Sequence, residues 1–294
     1  MSPTAVLIPT TVFTVMLALG TSLQLNVWQN WRRHWPQLLR VELTTCLLVP
    51  LVAWTLLSLP AGMALSTEAR HAIALMAACP SAPLILRRAG RIGGDASLAG
   101  LLQVTAALLA ILTVPLLAQL AERVFAVAGW DVRPRHVAWQ VGTVQLLPLL
   151  VGLLLRRFWP GPLMRLQGPL DRLANGLLML LLFAVLFRSA PLLLNFALFN
   201  GWALLLMALL VLLSLAMGFG MAGGDAEFRT TAALVTGMRN PGLAMLLAGQ
   251  HAGDLPHVKL GILLYVLITF LISGLALRRF DLRTSRQRDR CQGC

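Results

Sequence analysis

"TGMRNPGLA", residues 236–244, lies inside an apolar stretch covering residues 232–247. Asn240-Pro241-Gly242 breaks a helix, because proline brings no N–H and its ring collides with the preceding turn. Arg239 stands just before the break. An arginine at mid-bilayer costs about 2.5–3.5 kcal/mol on insertion scales, so it requires a partner or a wet cavity. The stretch therefore reads as an interrupted membrane helix built around a polar site. The simpler alternative is a proline kink with an internal salt bridge, for which Glu42, Asp225 and Glu227 are the acidic candidates.

The composition supports a membrane setting. Apolar residues make up 58% of the chain and charged residues 12%, against about 25% charged in a soluble protein; mean hydropathy is +0.78. Runs such as "GLLMLLLFAVLF", residues 176–187, show no alternation of period two, which argues against a membrane barrel and for helices. The net charge of +13 does not indicate nucleic acid, because the basic residues fall in short clusters between apolar segments. The start of the chain shows no pattern of a cleavable signal. Four cysteines are too few for a disulfide framework, and the C-x-x-C at Cys291 and Cys294 lacks a second ligand pair. No nucleophile elbow, phosphate-binding glycine loop or H-E-x-x-H is present, so neither an enzyme nor a cofactor is indicated.

Nine segments approach the roughly 20 apolar residues that a crossing helix needs: 5–25, 41–59, 69–87, 96–119, 136–155, 173–188, 202–223, 231–250 and 257–277. Residues 26–40, with Trp28, Trp31 and Trp35 beside Arg32 and Arg33, read as an interfacial amphipathic connector. Alternating loops hold seventeen Lys and Arg on one side and six on the other, with Arg239 inside a span. The positive-inside rule then places the C-terminus, with its basic tail 278–294, in the cytoplasm and the N-terminus outside. The expected location is a plasma membrane, the inner membrane of a bacterium.

A second interruption, "ACPSAP" at residues 78–83, falls in the third segment. Irregular backbone at membrane depth is tolerated only where protein buries it or where it lines a cavity. Paired interruptions in the two halves of a chain point to a binding site near the midplane. The new helix start after Asn240 would favour an anion through its free amides and dipole.

These residues carry a family resemblance. "ALMAACPSAPL" (74–84), "GGDASLAGLLQVTAALLAILTVPLLA" after it, and "RTTAALVTGMRNPGLAMLLA" (229–248) resemble the two crossing-helix regions of the bile acid:sodium symporter family, with further likeness at "MLALGTSLQL" (16–25) and "LLPLLVGLLLRRF" (146–158). The resemblance implies an all-α polytopic transporter of nine spans with inverted repeats in one transmembrane domain, residues 1–277. Spans 5–25, 136–155 and 173–188 would form a panel, and segments 41–119 and 202–277 a core that contains both broken helices. Substrate would bind between panel and core, with alternating access by rocking.

The departures from the family pattern are informative. The family's glutamate, a sodium ligand, falls on Val235 and its glutamine on Arg239; the Ser-Asn pair of the third span falls near Ile85 and Leu86, and the glutamine of the second span on Thr45. Thr105 or Thr113 would have to supply the fourth-span hydroxyls. Sodium needs several oxygens, preferably with a carboxylate, and this chain has removed most of those side-chain oxygens. A cation next to a buried guanidinium is repelled by about several kcal/mol. The expectation is that Arg239 takes the place of the sodium ion, leaving sodium a doubtful cofactor, and that it or its surroundings hold an anion, since guanidinium matches carboxylate.

Glu42 lies one turn before Thr45 on the same helix face. It is read either as a carboxylate paired with Arg239, whose protonation would couple transport to protons, or as an interfacial residue beside Arg40 at a helix start. The candidate ion-coupling residues are Glu42, Thr45, Thr105 and Thr236. The candidate substrate-binding residues are Arg239, Asn240, Pro241, Pro80, Ser81, Thr14 and Asn175. Gln103 and Gln145 read as helix-packing glue, and Thr10, Thr11, Thr14 and Thr21 most simply bond back to their own helix. The expected function is secondary transport of a small organic anion, a carboxylate or sterol-like acid, across the lipid bilayer. The competing readings are a transport-inactive sensor or scaffold and, from Cys79, an arsenite-type efflux permease.

Overall fold

A computed structural model of the chain describes residues 3–22, 27–81, 85, 89, 94–125, 134–251 and 257–292. The described residues are almost wholly helical. In order, the elements are α1 (Pro3–Ser22), α2 (Val27–Leu43), a five-residue π segment (Thr44–Leu48), α3 (Val49–Ser58), α4 (Pro60–Met63), α5 (Thr67–Ala78), α6 (Ala96–Phe125), α7 (Pro134–Gln140), a second π segment (Val141–Leu146), α8 (Leu147–Phe158), α9 (Pro160–Phe199), α10 (Gly201–Ala222), α11 (Ala226–Gly237), α12 (Pro241–His251) and α13 (Val258–Gln292). Among the described residues, five helical runs are long and apolar enough to cross a membrane: His34–Ser58, Ser97–Leu120, Arg135–Phe158, Gly201–Ala222 and Val258–Leu275. The bent pair Arg165–Leu181 and Leu186–Phe199 makes up to six. Outward-facing Leu112, Leu116, Leu198, Leu271 and Leu275 are each more than half exposed, as lipid-facing side chains are when no lipid is present.

Several boundaries differ from the sequence reading. The interfacial connector and the second segment are one continuous helical run from Val27 to Ser58, because Pro36 and Pro50 are accommodated without ending it. The sixth segment is not confined to residues 173–188. Helix α9 extends over forty residues through Pro169 and Pro191 and bends by 44°. The basic tail continues α13 as helix to Gln292.

Both expected interruptions are present, and they are built alike. Helices α5 and α11 each have twelve residues and an N-cap side chain, Ser66 Oγ accepting from Ala69 N at 3.3 Å and Asp225 Oδ1 from Phe228 N at 2.8 Å. These caps satisfy amides that the first turn leaves free. Each helix then stops in extended backbone, at Cys79 (φ −87°, ψ 105°) and at Met238 (φ −92°, ψ 98°). Pro80 follows Cys79 directly, and a residue before proline is driven out of the α region; Pro241, four residues after Gly237, brings no amide for the Gly237 carbonyl, so the helix cannot run on through it.

Small residues set the helix approach distances. At Gly218 of α10 an added Cβ would come within 2.6 Å of Ala232 O and 2.7 Å of Thr236 Cβ, so α10 and α11 touch nearly backbone to backbone. Gly152 of α8 meets Gly20 and Leu17 of α1 as closely, and Arg156 Nη1 donates to Thr21 O at 2.6 Å at the end of that crossing. Ala174 of α9 joins Val15 and Ala18 in a further small cluster on α1. Close approach of this kind is how membrane helices gain packing energy without a hydrophobic drive.

Gly218→Val forces α10 and α11 apart and should cost about 1–3 kcal/mol, as overpacking does, seen as a lower Tm in detergent. Gly161→Ala, where an added Cβ meets nothing within 4 Å, should leave Tm unchanged. Tyr265, on α13, is fully buried and its hydroxyl has no hydrogen-bond partner among the described residues. Tyr265→Phe removes an unsatisfied polar atom and should hold or raise Tm; a clear fall would show that the hydroxyl has a bound partner.

Candidate functional site

The two interruptions meet. Asn240 N donates to Cys79 O at 3.3 Å, linking the extended backbone of one break to that of the other. Arg239 is only 2% exposed. Its Nε donates to Met76 O at 3.3 Å, Nη1 to Thr45 O at 2.8 Å and Nη2 to Ala77 O. One guanidinium thus holds together the end of α5, the first π segment and its own break.

Proline placement explains why those carbonyls are available. In an α-helix the carbonyl of Met76 would accept from the amide of residue 80, but residue 80 is proline. Ala77 would accept from Ser81, which lies beyond the helix end. In the first π segment Val49 N donates to Thr44 O, one residue wider than the α register. Thr45 O would therefore look to residue 50, again a proline. Pro50 and Pro80 orphan two carbonyls at membrane depth, and Arg239 satisfies both. A cation at the carbonyl end of α5 is also favoured by the helix dipole.

The acidic partners expected for Arg239 are engaged elsewhere. Asp225 caps α11, and Glu227 is exposed at the start of that helix. Glu42 is 4% exposed, which excludes the interfacial reading: it lies inside the run His34–Ser58, not at a helix start. Its Oε1 contacts Thr105 Oγ1, and its Oε2 accepts from Cys46 Sγ at 3.8 Å. Glu42 and Arg239 are both buried and are linked through one turn of the chain: the Cys46 thiol contacts Glu42, and the carbonyl of its neighbour Thr45 holds Arg239.

The other candidates fall into two groups. Thr45 Oγ1 and Thr236 Oγ1 are 3.0 Å apart and wholly buried, which ties the π segment to α11. Ser81 Oγ donates to Gln103 Oε1 at 2.7 Å while Gln103 Nε2 donates to Ser81 O at 3.2 Å. Asn240 Oδ1 caps α12 by accepting from Leu243 N at 3.2 Å, and its Nδ2 donates to Gln145 Oε1 at 3.4 Å. Pro80 and Pro241 act through the backbone they interrupt. Thr14, by contrast, donates back to Thr10 O at 2.8 Å, and Asn175 lies next to Ala174 where α9 packs on α1. Helix α1 approaches the second break through Val12, which a Cβ at Gly242 would contact at 3.8 Å.

Gln103 and Gln145, read from the sequence as helix-packing glue, bond the residues at the two breaks, Ser81 and Asn240. The available signal was the proline after each π segment: Pro50 follows "TTCLLV" and Pro148 follows "TVQLL". Each widened turn directs a polar residue, Thr45 or Gln145, at a break. Among the positions that depart from the family pattern, Val235 and Ile85 lie fully buried in one apolar cluster. Leu86 lies outside the described residues. Thr113 Oγ1 donates to Leu109 O at 3.0 Å.

No individually curated protein matches the chain. The sequence model of the sodium bile acid symporter family matches residues 9–196, well over half of the chain, and the match ends before α11 and Arg239. The apolar helices and that match make this chain a membrane transporter that belongs to the sodium bile acid symporter family, whose members carry organic anions.

Proposed function

We propose that the chain is a secondary transporter of a small organic anion that works by alternating access without sodium, Arg239 acting as a tethered cation at the crossing of the two breaks. The observation that carries this reading is the guanidinium bound to the carbonyls of Thr45, Met76 and Ala77. A sodium ion needs several converging oxygens, and here three are already occupied by a fixed positive charge. A second cation among them would be repelled by about several kcal/mol. Val235 and Ile85 contribute no side-chain oxygen in the places where the family pattern has ligands.

In this reading α1, α8 and α9 form the panel and the helices around the crossing form the core, with the N-terminus outside and the C-terminus in the cytoplasm. Substrate enters where the two meet, near Val12, Gln145, Asn240 and Gly242. Arg239 gives the crossing the positive potential that a carboxylate seeks, through the field rather than through direct contact, since the side chain is buried and three of its five N–H groups are used.

Purified protein tested against a panel of organic anions, in sodium and in potassium at matched ionic strength, should show at least one anion that raises Tm equally in both salts. Saturation at a hundredfold over Kd corresponds to about 2.7 kcal/mol of stabilisation. Stabilisation that appears only in sodium would overturn the tethered-cation reading.

Arg239→Gln leaves three carbonyls without a charged donor and should lower stability by about 3 kcal/mol or more, counting about 1.5–3 kcal/mol for each hydrogen bond to a charged group and partial rescue by the amide. Arg239→Lys keeps the charge but not the planar fork, and should be intermediate in both Tm and anion response.

A further inference from the structure

We propose that Glu42 is a proton-carrying site, and that the proton it binds and releases drives the anion cycle in place of sodium; this rests on the transport function proposed above. The argument begins with a single hydroxyl. Thr105 Oγ1 contacts Glu42 Oε1 and also lies 3.0 Å from Leu101 O and 3.1 Å from Leu102 O. Threonine has one proton to give, and a carbonyl can only accept. If Thr105 donates to its own helix, as threonines in helices commonly do, its contact with Glu42 is a hydrogen bond only when the carboxyl carries the proton. The neutral acid then completes the network: Glu42 O–H donates to Thr105 Oγ1, Thr105 O–H to Leu101 O, and Cys46 S–H to Glu42 Oε2. The ionised form would take the threonine proton away from the helix and would leave a full charge buried with two neutral donors, which is costly.

Among the described residues, the charged groups around Glu42 do not supply a direct counter-ion. On its own helix Arg40 is exposed and His34 bonds Gln37 at 2.9 Å. Helix α10 carries no ionisable residue, and α6 carries Asp95 at its start, where it caps Ser97 and Leu98, and Glu122 and Arg123 near its other end. At the start of α11, Glu227 is exposed and Arg229 lies over the Phe219 ring at 4.0 Å. The remaining cation among the described residues is Arg239, bound at the carbonyl of Thr45, the chain neighbour of Cys46.

This supplies a two-state element. With the proton bound, Glu42 is neutral and Arg239 rests on the carbonyls of Thr45, Met76 and Ala77. When the proton leaves to water, the new carboxylate attracts the guanidinium held one turn away at Thr45 O. Thr45, whose carbonyl Arg239 holds, is in the π segment one turn after Glu42, where the helix already departs from α register. Protonation thus biases whether Arg239 binds the end of α5, and with it the joint between the breaks. One proton travelling with one monoanion is an electroneutral symport.

The test has two independent arms. In infrared spectra of the purified protein at neutral pH, a protonated-carboxyl carbonyl band should be present in the parent and absent in Glu42→Gln. An amide can donate to Thr105 and accept from Cys46, so this variant should fold. If the parent lacks the band, Glu42 is ionised and the proposal fails, whatever transport shows. In sodium-free proteoliposomes, with cholate and benzoate as probes, a gradient of about one pH unit should support about tenfold accumulation, and none in Glu42→Gln. Uptake of a probe that ignores the pH gradient and is unchanged by Glu42→Gln would sink the coupling proposal while leaving anion transport standing. If neither probe is carried, the transport reading fails for these anions, and the infrared arm still decides the state of Glu42.

Discussion

A guanidinium buried among orphaned carbonyls is the constraint on which the rest of this structure depends. Pro50 and Pro80 each remove an amide at membrane depth, where no water replaces it. An unsatisfied carbonyl there costs several kcal/mol, and so does an unpaired guanidinium. The two liabilities cancel when they meet. Arg239 reaches Thr45 O and Met76 O only if the break after Gly237 crosses the break after Ala78, and the bond from Asn240 N to Cys79 O fixes that crossing.

The surrounding helices serve this junction. Gly218 lets α10 lie against α11, which brings Thr236 to Thr45; the π segments aim Thr45 and Gln145 inward; Asn240 both caps α12 and touches Gln145. The joint between the breaks is therefore made of few, short polar contacts in an apolar surround. Such contacts can exchange partners, whereas a close-packed apolar core cannot deform continuously.

Much of this was legible in the sequence because proline and glycine act locally. The interruptions at residues 78–83 and 237–242 follow from backbone chemistry that any neighbouring fold must respect. That Arg239 must be paired was equally plain, but its partners were not. A search for a counter-ion scans acidic residues, whereas the actual acceptors are carbonyls whose vacancy depends on helix register. The π segments were hidden for the same reason: hydrophobic periodicity does not distinguish a widened turn from an α turn, and only Pro50 and Pro148 signalled it. Glu42 was placed on the correct face beside Thr45, but its burial depends on α6 packing across it through Thr105. The long course of α9 was missed because Pro169 and Pro191 look like boundaries when read one helix at a time.

Replacing a bound ion by a side chain changes what a transporter can use. A sodium ion binds, travels and leaves, so its gradient does work; a tethered guanidinium supplies the same charge at no cost in translational entropy, yet it cannot dissociate and delivers no free energy per cycle. On the proposed reading, a chain that fixes its cation in this way has two options. It can equilibrate its anion passively, or it can take its driving force from another exchangeable charge. The second needs a buried titratable group close enough to the fixed cation for its charge state to bias the same joint, and shielded enough that its proton does not leak. Glu42 meets both conditions: it is buried beneath Thr105, and it contacts Cys46, the chain neighbour of Thr45, whose carbonyl holds Arg239. The loss of sodium ligands and the presence of a buried carboxyl are then two parts of one change, in which the moving charge becomes a proton because the metal's place has been permanently taken.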